Sequence, residues 1–114
     1  MMTLDDIRRD RALVQSIDWE MTPEEAITLY LEWGNNWSHG NMVKSGDQTA
    51  HYFVIYSWED PPKVLFIRRN SGGAEELARL EMPPEMGARF LASHRQGVWG
   101  LTDEVRGWLE DELN

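Results

Sequence analysis

A chain of 114 residues is the size of one domain, long enough to bury a core without metals or disulfides. It has no cysteine, which removes disulfide scaffolds, thiol catalysis and thiolate metal sites and suits a reducing cytoplasm. Twenty acidic residues against eleven basic give a net charge of −9; that sign repels phosphate backbones and anionic membranes and permits basic partners.

The first residues, Met1–Asp6, are acidic where a signal peptide would be basic, and no apolar run approaches the roughly 18 residues of a membrane span. The expectation is a cytoplasmic protein with no membrane and no nucleic-acid partner. Thr3 and Asp6 form a start resembling a capping box, with Asp standing where Glu or Gln is usual. The spacing of Leu4, Ile7, Leu13, Val14 and Ile17 predicts a helix from Leu4 to about Ser16. Asp10 falls inside the apolar half of that cylinder. A carboxylate near a core is normally paired, so Asp10 is expected to meet Arg68, Arg69 or Arg89 rather than to serve chemistry. Arg8, Arg9 and Arg11 are offset by Asp5, Asp6 and Asp10, which reads as a solvated mixed face.

Asp18–Met21 is a short connection. Thr22-Pro23-Glu24-Glu25 is the strongest local signal: Thr22 caps, Pro23 needs no amide donor at the first helical position, and Glu25 reaches back. The helix that follows extends to about Ser38 on the steps Leu29, Trp33, Trp37, with Gly40 as its stop and Gly34 inside it. Asn41–Ser45 is expected as a short strand, and Ser45–Gln48 carries turn chemistry.

Ala50–Trp58 organises the rest. His51, Phe53, Ile55 and Ser57 alternate with Tyr52, Val54, Tyr56 and Trp58, and both sets are largely apolar. That pattern predicts a central strand covered on both sides, by helices on each or by a dimer partner on one. Pro61 and Pro62 end it. Lys63–Arg69 is an antiparallel neighbour and Asn70–Gly73 a loop. In Glu75–Met82 the Ala, Glu and Leu content favours a helix, while the alternation of Ala78, Leu80 and Met82 and the stop at Pro83-Pro84 favour a strand over Leu77–Met82, which is the reading chosen. A helix runs from near Pro84 to Arg95 or Gln96, with Met86, Phe90, Leu91 and His94 inward. Gly97–Gly100 is a connector. Thr102 caps a last helix whose buried face is Val105, Trp108, Leu109 and Leu113, fraying after about Asp111 where acids oppose the dipole. The fold class is α+β: two N-terminal helices, an antiparallel meander of three or four strands, and two C-terminal helices, in one domain spanning residues 1–114.

No phosphate loop or nucleophile elbow is present, and neighbouring acids on a helix do not face each other as an acid/base pair. No cofactor is expected. His39, His51 and Asp47 form the one conceivable metal set, but ordinary structural roles are preferred for them. Tyr52, Tyr56 and Phe66 beside Arg68 and Arg69 faintly suggest an RNA platform, which the charge opposes. An acidic mimic of nucleic acid ranks last, since the carboxylates are spread over every segment.

Trp33–Asn41 packs two Trp, three Asn, one Ser and one His into nine residues. Its structural reading is core tryptophans with asparagines bonded to loops. Its functional reading is a polar-aromatic lip of Trp33, Asn35, Asn36, Trp37 and His39, with Trp58 nearby, that binds a small ligand or a partner. The run Tyr30–Trp37, with Tyr52-Phe53-Val54 and Trp58–Lys63 after it, resembles a small bacterial family of sulfate-reducing bacteria that has no assigned function. That resemblance implies a bacterial cytoplasmic setting and supplies no activity or site residue. The functional expectation is therefore a non-catalytic protein that acts through an unknown protein partner or self-association as a homodimer. A small-molecule binder or enzyme built on the Trp33–Asn41 lip is the alternative.

Overall fold

The computed structural model describes residues 1–35, 49–70 and 73–114, with backbone alone for 32–35. The elements are α1 (Leu4–Arg9), α2 (Arg11–Gln15), α3 (Pro23–Asn35), β1 (Ala50–Tyr56), β2 (Lys63–Asn70), β3 (Gly73–Glu81), α4 (Pro84–Ser93), β4 (Val98–Trp99) and α5 (Asp103–Leu113). The strands form one antiparallel sheet in the order β3-β2-β1-β4, so the α+β expectation holds.

Alternation along β1 and β2 builds two cores. Phe53 pairs with Phe66 and Ile55 with Val64, and these side chains share one face. There they pack with Ile7, Val14 and Ile17 of the N-terminal segment, Phe90 of α4, and Val105, Leu109 and Leu113 of α5. Tyr52, Val54, Leu65 and Ile67 take the opposite face and pack under α3 through Ala26 and Leu29. Period two sorts the side chains, and helices from three parts of the chain cover both results. Covering the sheet therefore requires no second copy.

The single N-terminal helix expected over Leu4–Ser16 is two. The Thr3–Asp6 capping box is present, with each side chain accepting the other residue's amide. Asp10 then leaves the helical region at φ −91° and ψ 88°, and its Oδ1 accepts the Leu13 amide as the N-cap of α2. Asp10 is exposed and does not meet an arginine from the sheet or α4. Arg68 bonds Glu75 and Arg89 bonds Glu104, while Arg69 is buried on the α3 face. A short acidic side chain can satisfy a local amide more directly than a distant cation, so it breaks the helix instead of lying against the core.

Other boundaries moved as well. The α4 helix stops at Ser93 rather than at Arg95 or Gln96, and Ser93 Oγ lies within hydrogen-bond reach of the Arg89 and Phe90 carbonyls. His94 turns to an extended conformation and stacks on Phe90 at 4.0 Å. Gly97–Gly100 is not a bare connector, since Val98–Trp99 pairs with Tyr56 and Ile55 as β4. Strand β3 begins at Gly73, where φ is +141°, and reaches Glu81 rather than spanning Leu77–Met82. The α5 helix does not fray after Asp111. Arg8 Nε donates to the Glu112 carbonyl at 2.6 Å, Arg11 donates to the Leu113 carbonyl at 2.8 Å, and Leu113 is fully buried. The strand expected over Asn41–Ser45 and the helix end at Asn36–Ser38 lie outside the described residues.

Candidate protein-contact site

Toward one end, the second face of the sheet changes from apolar to polar. Register places Tyr56, Lys63 and Glu81 in one cross-strand row, and Val54, Leu65 and Arg79 in the next, on the same face. The middle rows are apolar and lie beneath α3; this corner row is polar and aromatic. Glu76 joins it from β3, and Glu59 from the link after β1. Trp58, one residue earlier, is 55% exposed, the most exposed aromatic side chain among the described residues.

Arg79 is the hub. Its Nε and Nη2 donate to the two oxygens of Glu76 at 3.2 and 3.1 Å, and its Nη1 donates to Glu59. Its guanidinium lies over the Tyr56 ring, 5.2 Å from the centroid. Hydrogen bonding to Glu76, with the nearby charges of Glu76 and Glu59, holds the guanidinium above its ordinary pKa. Lys63 sits 3.5 Å from Glu81 and 3.9 Å from Glu59, and its ammonium donates to the Pro61 carbonyl at 3.0 Å. Burial, then the charge of Glu76, raises the Tyr30 phenol above its usual value, so it stays protonated at neutral pH.

The arrangement is an ion-paired cluster of two cations and three carboxylates, with the Tyr56 ring under the guanidinium. Its carboxylates are engaged by Arg79 and Lys63, and no nucleophile is placed beside a base. The exposed indole, the stacked arginine and the tyrosine rim are residue types that dominate binding energy where proteins meet.

Two other places test for chemistry. Ser16 Oγ and His51 Nδ1 are 3.0 Å apart, which suggests a nucleophile beside a base. Yet Ser16 Oγ also donates to the Leu13 carbonyl at 2.6 Å, and a hydroxyl has one proton. Nδ1 must therefore carry the hydrogen and donate to Ser16, which leaves the imidazole unable to deprotonate that serine. The second place is a cleft of about 100 Å³ between Trp19, Pro23, Phe53, Leu101 and Arg106. It lies on the outer edge of β1, between the Ile17–His51 bridge and the start of β4. Drug-sized ligands occupy roughly 300–1,000 Å³, so this gap is not such a pocket.

Of the residues expected to form a ligand lip, Trp58 is described and is exposed. Trp33 and Asn35 lie on α3, described there as backbone. Asn36, Trp37 and His39 lie outside the described residues, as does Asp47 of the conceivable metal set. Among the described residues no three His, Asp or Glu side chains come together to hold a metal ion. None of their helices is long and apolar enough to cross a membrane. The Arg79 corner was missed in the sequence because its members are brought together by strand register. The one available signal was Trp58-Glu59 directly after an apolar strand. No family model matches the chain, and no curated protein or solved structure matches it either.

Proposed function

We propose that this is a non-catalytic protein that acts through protein contacts at the Trp58–Arg79 corner. The observation that supports this reading is Trp58, 55% exposed and next in sequence to the Glu59 that helps brace Arg79 over the Tyr56 ring. A partner with an apolar pocket for the indole, rimmed by cations and hydrogen-bond acceptors, suits this surface and the overall charge of −9. That partner is another protein or a second copy of the chain, in a cytoplasmic setting, with neither nucleic acid nor membrane involved.

The test compares the wild-type chain with Trp58→Ala in two assays. Sedimentation across a concentration series reads self-association, and quantitative capture from the source lysate reads a foreign partner. The substitution removes a side chain that is mostly in water, so the melting temperature should hold within the roughly 0.5 kcal/mol typical of surface changes. The reading expects one assay to lose at least tenfold in affinity, as truncation of a central contact does. A variant indistinguishable from wild type in both assays would refute it.

A further inference from the structure

His51 stands at the point where the N-terminal segment joins the sheet. Ile17 bridges to it, and its carbonyl accepts the Asp18 amide at 2.9 Å. Its side chain makes a second attachment, with Nδ1 donating to Ser16 Oγ at 3.0 Å. The ring is 8% exposed, and Phe66 lies against it at 6.0 Å. The second ring nitrogen, Nε2, is buried without a hydrogen-bond partner among the described residues. In the neutral ring that atom is a bare acceptor. Protonation would give it a hydrogen with no oxygen among the described residues to receive it.

The surrounding charges give no relief. Arg68 lies directly opposite on β2, and its guanidinium is taken by Glu75, its own partner on β3. Asp18 accepts the Glu20 amide through Oδ1. Among the helices on this face, Glu112 bonds Arg8, Glu104 bonds Arg89, and Glu110 bonds Arg106. No carboxylate among these is aimed at the ring.

We propose that His51 is an acid-released latch, whose protonation undocks the segment Met2–Asp18 from the sheet while the β1–β2 core stays formed. Besides His51, the segment is held by Met2, which pairs with Ala78 and donates its amide to the Leu77 carbonyl at 3.0 Å. Ile7, Val14 and Ile17 enter the core, while Arg8 and Arg11 hold the end of α5. Burial, and then Arg68, depress the His51 pKa in the docked state. The undocked ring regains an ordinary value near 6.5. The docked state is therefore fully favoured above that value. It loses about tenfold in its equilibrium constant per pH unit as pH falls from there towards the docked pKa.

The test is amide exchange and ring titration by NMR on the full chain, from about pH 8 to about pH 5, the range in which histidine changes charge. Protection factors at Asp18 should fall as the pH drops below about 6.5, by no more than about tenfold per pH unit and levelling off at the docked pKa, while Val64–Ile67 keep theirs. The His51 ring should titrate below the ordinary histidine value, and His51→Gln should flatten the Asp18 response. Three results would overturn the latch: Asp18 protection that does not change with pH, parallel loss in β2, or a wild-type pH response persisting in His51→Gln. If that variant does not fold, the wild-type titration still decides, because an ordinary or raised His51 value refutes the proposal.

Discussion

The two faces of the sheet are covered in different ways. One is sealed by helices from both ends of the chain over an aromatic ladder, in which Trp19 stacks on Phe53 at 5.8 Å and Phe53 on Phe66 at 4.6 Å. The other carries α3 and then gives way to the ion-paired corner around Arg79. The first face locks distant parts of the sequence together, because its helices are themselves bonded: Arg8 and Arg11 of the N-terminal segment grip the last turn of α5. Among the described residues the second carries a smaller apolar cluster beside a group of charged and aromatic side chains. In this molecule apolar packing dominates one side of the strands, and an ion-paired cluster interrupts it on the other.

The sharpest way to test that division is to empty each face in turn. Phe66→Ala removes a fully buried ring between Phe53 and His51 and should cost about 4 kcal/mol in urea denaturation. Leu65→Ala, the next residue and equally buried under α3, should cost about 3 kcal/mol. If the Leu65 change is the more damaging, the ranking of the faces is reversed. Gly100→Ala probes the seam between them. A methyl group there would stand 2.3 Å from Pro23 Cα, at the start of α3, and backbone cannot give way as a side chain can. A loss of about 2 kcal/mol is expected, with α3 displaced in amide chemical shifts. Thr102→Ala removes the side-chain oxygen that accepts the Val105 amide, and should lower stability by about 1 kcal/mol. Asp10→Asn should change the melting temperature least, within about 0.5 kcal/mol, since asparagine caps a helix as well as aspartate does. A large loss there would restore a buried ion pair to the account.

What the sequence revealed follows from the range of the interactions. The two-faced strand was legible at Ala50–Trp58 because period two is written into neighbouring residues. The Thr3 and Thr22 capping boxes were legible because their partners are three residues away. Asp10 misled because helical periodicity continues unbroken across it, so nothing in the spacing distinguishes a residue in the helix from one that caps the next. Two features had no local signature. One is β4, which depends on Ser57 holding Gly97 from across the fold. The other is the unfrayed end of α5, which depends on Arg8 and Arg11, about a hundred residues earlier. In the candidate contact site, Trp58 stood out by composition. Arg79, Glu76 and Glu59 did not, because three ordinary charged residues become a network only once the β2–β3 register is fixed.

The measurement that bears most directly on the central claim is amide exchange along β1 and β2 in the Trp58→Ala chain, which lacks the proposed corner contact, repeated over about a hundredfold dilution, where mass action would separate copies held together by a face of the sheet. If the chain's own helices cover both faces, Tyr52–Ile55 and Val64–Ile67 will be the slowest amides in the protein, with rates that do not change on dilution. Protection that weakens in these strands as the protein is diluted would mean that a second molecule closes one face.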